Sequence, residues 1–339
     1  MGAFICSISP RDWPIAVTKG VYGNKYKKRN SNKPLRDVQQ LSIIRDLTAM
    51  RKGDLLFFHV IDEKTVHGVY RVTEEPFFDE TIIWKDKYEL FPYRFTFEPH
   101  PKYFSLCEYD ANIEVHSLYE IIDKGEIQSL VTLEFERNIE RRSVRRIIEN
   151  DAKKMLNLLL RDFRKRQQKE KIAFKPYKPP KKVALLKNKI YRVGEIENAV
   201  KAIIMHELAE KESIFKKQVS LEGKCEFANE FFVAPTTRKA IDVFAFNKEK
   251  YAIIECKTKT MKVEGLKQTL YYQDLIGQRN WFDDSKKSIV VLVAKKFHSK
   301  VIEYTRQLNK TKQAEIKLIK YIPQENKKWA DFINETPKI

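Results

Sequence analysis

The sequence lacks the features that would place a protein in a membrane or in the secretory pathway. No stretch approaches the roughly 20 apolar residues that a membrane-spanning helix needs. The first residues carry no basic n-region, and Pro10, Arg11 and Asp12 interrupt any apolar run, so we expect no signal peptide. We therefore expect a cytoplasmic protein that is not integrated into a membrane.

Cysteine is scarce, and its spacing argues against the common zinc patterns. The chain has 4 cysteines, Cys6, Cys107, Cys225 and Cys256, and none belongs to a C-x-x-C pair. Each lies in an apolar or mixed stretch. This predicts reduced, mostly buried thiols rather than zinc ligands or disulfides.

Acidic residues are too few to balance the basic ones. The 339 residues include 65 Lys and Arg but 46 Asp and Glu, which gives a formal charge of +19. This excess suits a polyanionic partner, with nucleic acid first and an acidic membrane surface second. The length and the 42% hydrophobic content are sufficient for two packed domains.

The composition divides the chain into two domains, a connector and a tail. Residues 1–136 hold short β-type runs between Pro, Gly and Asn clusters, which predicts a small α+β domain with a curved sheet. Residues 137–189 form a basic connector. Residues 190–325 predict an α/β layer structure with a mixed sheet, and residues 326–339 are interpreted as a tail. The predicted strands of the first domain include Ala3–Ile8, Asp54–Val60, Val66–Thr73 and Tyr93–Glu98.

The connector carries most of the charge excess, with 19 Lys and Arg against 5 Asp and Glu. Apolar residues at helical spacing between Ile147 and Phe163 predict an amphipathic helix. Its apolar stripe is either a homodimer interface or a surface packed on its own domain. The run Lys175–Lys182, rich in Pro and Lys, predicts an extended linker. We expect basic side chains of this segment to contact the nucleic-acid backbone: Arg141, Arg142, Arg145 and Arg146.

In the third part, two predicted strands bring acidic side chains into apolar surroundings. Asp242 lies within the strand 240–246, and Glu255 ends the apolar run of the strand 251–256. Burying a carboxylate is costly unless a partner compensates, and a divalent cation is a good compensator. Lys257 points to the same face as Glu255 and can orient water or stabilise a phosphate. The other predicted elements are a helix from near Gly194 to Leu208, strands at 227–233, Ser288–Ala294 and Glu315–Tyr321, and helices at 263–277 and 299–310.

This arrangement resembles the PD-(D/E)xK nuclease superfamily. Asp242, a 12-residue gap, the motif Glu255-x-Lys257 and then Gln268-x-x-Tyr271 follow its order. The resemblance covers roughly residues 190–300, and the Pro of the motif name is absent before Asp242. It implies hydrolysis of phosphodiester bonds with Mg²⁺ or Mn²⁺ held by Asp242 and Glu255, and with Lys257 as base or stabiliser. It also implies an acid on the first helix, for which Glu197 is preferred and Glu195 competes, and a helix-borne Gln268.

The N-terminal part resembles the PUA-like superfamily in its EVE and YTH branches. The run KGDLLFFHV followed by HGVYRVTEEPFFDE resembles the EVE pattern, and SISPRDWPIAVTKGVYG resembles the start of a YTH domain. The resemblance implies a curved β-barrel with flanking helices that holds a flipped, modified base between aromatic faces. Tyr22, Trp84 and Trp13 are the candidate cage residues, with core packing as the alternative. The adjacent Lys25, Lys27, Lys28 and Arg29 are candidates for phosphate contacts.

Together these features predict a modification-dependent DNA endonuclease with a restriction or defence role. The first domain would select a modified base in double-stranded DNA, and the third part would cut nearby as a homodimer, since two strands need two active sites. A repair or structure-selective nuclease, acting on mismatched, branched or single-stranded DNA, is one alternative. A second alternative is an RNA-binding EVE- or YTH-like protein whose nuclease fold is inactive.

Overall fold

Two β-sheets organise the chain, one in each of two compact units, Met1–Asn188 and Lys189–Ile339. The computed structural model describes residues 2–27, 33–84, 90–131, 135, 143–164, 171–233, 239–279 and 286–338. Helices pack on both sheets. The expected two-domain class with α/β character is therefore confirmed at that level, and the specific family folds stay predictions.

Unit 1, residues 1–188, is built on a curled sheet of nine strands among its described residues. The strands are β1 (Ala3–Ile8), β2 (Val21–Asn24), β3 (Leu55–Val60), β4 (Thr65–Val72), β5 (Phe77–Phe78), β6 (Tyr93–Pro99), β7 (Asn112–Glu114), β8 (Val144–Ile147) and β9 (Ala184–Leu185). Their order in the sheet is β8-β1-β3-β4-β6-β5-β9, and in addition β2 pairs with β6 and β7 pairs with β4. Strands β1 and β3 pair in parallel, and the other described pairs are antiparallel.

The helices of unit 1 cover this sheet with apolar side chains. They are α1 (Trp13–Lys19), α2 (Asp37–Thr48), α3 (Phe104–Glu108), α4 (Val115–Asp123) and α5 (Glu149–Phe163), with a short 3₁₀ turn at Pro101–Tyr103. One core cluster joins Ile5 and Phe57 of the sheet to Leu118 of α4 and Met155 of α5. The apolar stripe of α5 thus packs on its own unit, so this surface does not support the expected homodimer interface.

The basic connector differs from its expected form. Val144–Ile147 is not helical but adds strand β8 to the edge of β1, because its alternating side chains can enter the core there. Residues 171–183 form neither a helix nor a strand, and their backbone is bonded to other parts of unit 1: Lys175 N donates to Thr18 O and Tyr177 N to Lys19 O. The described residues 143–164 and 171–188 consequently belong to unit 1.

Unit 2, residues 189–339, is built on a mixed sheet. Its elements are α6 (Glu197–Ala209), α7 (Ile214–Val219), β10 (Glu226–Phe232), β11 (Ala240–Phe246), β12 (Lys250–Met261), α8 (Val263–Gly277), β13 (Lys287–Phe297), α9 (Ser299–Lys310), β14 (Glu315–Pro323) and β15 (Ala330–Asn334). The strands follow the order β10-β11-β12-β13-β14-β15; β12, β13 and β14 are parallel, and the flanking pairs are antiparallel.

The C-terminal residues form part of this sheet, whereas the sequence pattern suggested a tail. Ala330–Asn334 pairs antiparallel with β14, and Ala330 and Phe332 are buried. The strand is short and its other side chains are exposed, so its local pattern resembles that of a loop. The predicted strand and helix at 240–246 and 263–277 coincide with β11 and α8.

Two further expectations concern cysteines and membrane helices. All four cysteines are free and buried, which confirms the prediction from their spacing. Within the part of the chain that the structure describes, no helix is long and apolar enough to cross a membrane.

Candidate active site

Strands β11 and β12 bring Asp242 and Glu255 together. The antiparallel register pairs Val243 with Ile254, and Asp242 and Glu255 are the next residues of the two strands beyond this last pair. The two carboxylates lie close enough together for the charge of Asp242 to raise the pKa of Glu255. The backbone N–H of Cys256 donates to Oδ2 of Asp242 at 2.9 Å, which fixes this carboxylate against β12.

Glu255 is a buried carboxyl group in an electrostatically unfavourable place. Burial raises its pKa, the charge of Asp242 raises it further, and Lys257 and Lys201 only partly offset these effects, so that the pKa is about 7. The Lys257 ammonium lies 2.7 Å from Oε1 of Glu255. The site therefore favours additional positive charge beside the two carboxylates.

Lys257 is the more accessible cation of the site, with a side chain 39% exposed. Besides Glu255 it donates to the carbonyl oxygen of Cys256 at 3.0 Å and lies 3.7 Å from Oε2 of Glu197. Burial alone would lower the pKa of Lys257, but Glu255, Asp242 and Glu197 outweigh it and raise the pKa above its ordinary value. The Lys257 side chain is thus held as an ammonium at the edge of the carboxylate cluster.

The first helix of unit 2, α6, contributes Glu197, as expected, and also Lys201. The Lys201 ammonium lies 3.0 Å from Oε1 of Glu197 and 2.5 Å from Oδ1 of Asp242. Sequence reasoning missed Lys201, although two signals pointed to it. It interrupts the apolar run of α6, and it stands four residues after Glu197, one turn along the same helical face.

The competing acid, Glu195, lies outside the cluster. It pairs with Lys327 at 2.7 Å and with Arg192 at 2.8 Å. The hydrogen bond from Lys327, and then that from Arg192, lower the pKa of Glu195 to about 2. The geometry thus brings Glu197, and not Glu195, to Lys257 and Lys201.

Gln268 lies on α8, in the helix that the sequence pattern predicts. Its Nε2 donates to the hydroxyl of Tyr272 at 2.6 Å. Tyr272 is buried, and burial raises the pKa of its hydroxyl. The hydrogen bond from Gln268 lowers this pKa, and the charges of Glu255 and Asp242 raise it. Tyr271 is instead exposed, with the Lys239 ammonium 5.0 Å from its ring centre. Residues four apart share one face of a helix, which places Gln268 beside Tyr272.

The donor set of this cluster fits a hard divalent cation. Carboxylate oxygens of Asp242 and Glu255 are ligands that Mg²⁺ and Mn²⁺ accept, and Mg²⁺ is commonly held by one or two carboxylates with water and phosphate completing its shell. Burial and the charge of Asp242 raise the pKa of Glu255, so a cation beside it would favour its ionised form. Among the residues that the structure describes, no group of three or more His, Cys, Asp or Glu side chains could hold a metal. A cation here would therefore rest on these two residues.

The three cage candidates of unit 1 are core side chains. Tyr22 and Trp84 are each 3% exposed, and Trp13 is 5% exposed. The Tyr22 hydroxyl donates to the carbonyl oxygens of Ser7 and Ser143, and its ring stacks on Phe95. This corrects the expected open cage, because packed rings offer no face on which a base could stack.

Trp13 and Trp84 are covered by different neighbours. The Trp13 ring lies 5.1 Å from that of Phe58 and 5.0 Å from that of His67. Trp84 packs against Phe91 and lies 5.5 Å from the guanidinium of Arg94. Large aromatic side chains contribute most when buried, which is the physical reason that the core alternative applies to all three.

The basic residues expected at the nucleic-acid backbone differ in where they lie and in how exposed they are. Arg145 and Arg146 lie in strand β8 and are buried, and the Arg146 guanidinium lies 5.3 Å from the Phe4 ring centre. This corrects their assignment, since a buried guanidinium cannot meet a phosphate. Lys25 is exposed and Lys27 is half-buried beside strand β2. Lys28, Arg29, Arg141 and Arg142 lie outside the described residues.

Comparison with known proteins adds no relative to this picture. No family model matches the chain, and a search of curated proteins found no significant match. The features that bear on function are therefore those of the cluster of Asp242, Glu255, Lys257 and Glu197 itself.

Proposed function

We propose that unit 2 is a metal-dependent nuclease that hydrolyses phosphodiester bonds of DNA. The observation that carries the proposal is the convergence of Asp242, Glu255 and Lys257 on two adjacent strands, with Glu197 of α6 beside them. A buried and a partly buried carboxylate next to one accessible ammonium group suit an anionic substrate and a divalent cation better than they suit a structural role.

Each residue has a distinct task in this proposal. Asp242 and Glu255 would hold Mg²⁺ or Mn²⁺, which, when bound, activates a water molecule and neutralises charge on the phosphate. The accessible Lys257 ammonium donates hydrogen bonds to the phosphate oxygens as their charge develops. Gln268 and Tyr272 hold each other in place on the neighbouring helix. In this proposal they line the site and take no direct part in the reaction.

A lysine-rich segment of unit 1 supports a nucleic-acid partner. The lysine strap, which we define as residues 171–182, is anchored by half-buried Ile172, Phe174 and Tyr177. Five lysines of the strap are exposed; Lys171 pairs with Glu108, and the other four have no ion-pair partner among the residues that the structure describes: Lys175, Lys178, Lys181 and Lys182. In an extended chain of about 3.1 Å per residue, positions three apart recur every 9 Å or so on one face. A row of unpaired ammonium groups suits a sugar–phosphate backbone.

Cleavage by the full chain in Mg²⁺ and in EDTA tests the proposal. The substrates are genomic DNAs that carry different natural base modifications, with unmodified duplex as reference. Asp242→Ala and Glu255→Ala should abolish cleavage, while Glu303→Ala, which removes an exposed carboxylate on α9, should leave it intact. Full activity of either site variant would remove the proposed chemistry.

Selection of modified bases by unit 1 rests on the sequence resemblance alone, because its candidate cage residues are buried. Cleavage that depends on modification would support the restriction role. Equal cleavage of modified and unmodified duplex would remove it.

The burial of the cage residues favours a second candidate, a repair or structure-selective DNA nuclease. Such an enzyme reads the shape of a flap, junction or single strand and needs no base cage. Preferential cleavage of these substrates over plain duplex would support it. RNA crosslinking without any metal-dependent cleavage would instead favour an RNA-binding protein with an inactive nuclease fold. Plasmid nicking together with a monomeric mass by light scattering would argue against the expected homodimer.

A further inference from the structure

Lys201 is a buried basic side chain of the cluster to which the proposed reaction gives no task. It lies on the buried face of α6, and its side chain is only 7% exposed. Its ammonium lies within ion-pair distance of both Asp242 and Glu197. Taking an ammonium out of water is costly, so this position demands a compensating role for the carboxylates around it.

The two lysines of the site face different surroundings. Lys257 is partly open to solvent, whereas Lys201 is covered and directed at carboxylate oxygens. A phosphate that reaches Lys257 would not reach Lys201 unless the lysine moved. The partners of Lys201 are therefore the proposed metal-binding carboxylate and its neighbour, and not the substrate.

Both oxygens of Asp242 are already engaged. Oδ2 accepts the hydrogen bond from the Cys256 backbone, and Oδ1 accepts that from Lys201 at 2.5 Å. A cation bound to Oδ1 would meet the Lys201 ammonium at the same atom. Like charges at such separations repel strongly, even at the effective dielectric constant of a protein surface.

We propose that Lys201 is an internal counter-ion that holds Asp242 in the metal-free protein and competes with the divalent cation for it. The inference rests on the proposed function, since it concerns the same site. Lys201 is a positioning residue in this scheme: it prevents the carboxylates from repelling one another before metal arrives, at the cost of a weaker metal affinity.

Direct binding of Mn²⁺ to the full chain, followed by electron paramagnetic resonance, tests this inference without measuring cleavage. Lys201→Met removes the charge but keeps the length of the side chain. We expect it to bind Mn²⁺ roughly tenfold more tightly than the wild type, or better, because the competing charge is gone. Lys310→Met removes an exposed lysine at the end of α9 and should leave the affinity unchanged. Lys201→Arg retains the charge and should bind no more tightly than the wild type.

Thermal unfolding supplies a second readout. In EDTA, Lys201→Met should unfold at a lower temperature than the wild type, because it removes the ammonium paired with Asp242 and leaves Glu197 with the more distant Lys257. Mn²⁺ should then raise its melting temperature by more than that of the wild type, since the gain grows with [Mn²⁺]/Kd. The double variant Lys201→Met with Asp242→Asn should recover stability in EDTA and lose the gain from Mn²⁺. If Lys201→Met does not fold in EDTA, Lys201→Gln is measured in its place.

The outcomes separate this inference from the proposed function. Binding of Mn²⁺ by the wild type that is unchanged or weakened in the Lys201 variants would overturn the competition and leave the nuclease proposal standing. Absence of Mn²⁺ binding in the wild type and in the variants would overturn both.

Discussion

The lysine strap gives the sharpest quantitative prediction about the partner of this protein. Replacing its four exposed lysines that have no ion-pair partner among the described residues, Lys175, Lys178, Lys181 and Lys182, by Gln removes positive charge without touching the anchoring residues. The strap should remain attached, since Lys175 and Tyr177 bond to the last two residues of α1 through backbone N–H groups that a side-chain change leaves intact.

The magnitude follows from counterion release. Each phosphate neutralised on duplex DNA contributes about 0.9 to the slope of log K against log salt concentration. If each of the four lysines meets one phosphate, the slope of the variant should be shallower by up to about 3.6. When the salt concentration rises fourfold, the affinity of the variant should therefore fall by a factor roughly two orders of magnitude smaller than that of the wild type.

Fluorescence anisotropy with a labelled duplex, in EDTA to prevent cleavage, measures this slope for the full chain. A control variant carries Lys→Gln changes at four exposed lysines of unit 2 that do not share one extended segment: Lys300, Lys310, Lys328 and Lys338. The control should change the slope less than the strap variant does. An unaltered slope in the strap variant, with equal thermal stability, would refute the role of the strap in DNA binding.

Three further results are expected. Asp242→Ala and Glu255→Ala should each lower the rate of DNA cleavage by a factor of about 10² or more, since each removes a group that acts on transition-state charge, as single-turnover assays would reveal. Arg94→Met should destabilise the protein by about 3–5 kcal/mol in urea unfolding, because it leaves Asp79 buried without its partner at 2.5 Å; the double variant with Asp79→Asn should be less destabilised, and an equal loss would contradict this reasoning. Burial, and then the charge of His67, lower the pKa of His59 from 6.5 to about 4. The unfolded chain therefore binds the proton first, and stability should fall by up to about 3 kcal/mol from pH 6.5 to pH 4; calorimetry should show a weaker pH dependence in His59→Leu.

Much of the candidate site was predictable because its signals are local. Asp242 and Glu255 stand in or beside apolar strand patterns, and the spacing between them accommodates two strands and a hairpin loop. Period-two alternation then places Lys257 on the face of Glu255. The bounds of β11 and α8 matched their patterns because apolar residues recur in each at the spacing of its own secondary structure.

Burial, by contrast, was not readable from composition. Tyr22 and Trp84 have loop-like neighbours in the sequence, yet both rings are enclosed by side chains from distant strands. Arg145 and Arg146 belong to a basic run that suggested an exposed surface, but pairing of β8 with β1 draws both into the interior. An aromatic or basic residue has the same local signature in a core as at a binding site.

The sequence by itself determined the chemistry available to the site, because strand periodicity and apolar context fix which carboxylates share a face with Lys257. Tertiary structure alone decided how these charges are balanced. It brought Lys201 from a separate helix to Asp242, selected Glu197 over Glu195 and matched Gln268 with Tyr272. Electrostatic interaction depends on distances in space between elements, which no pattern along one strand or helix contains.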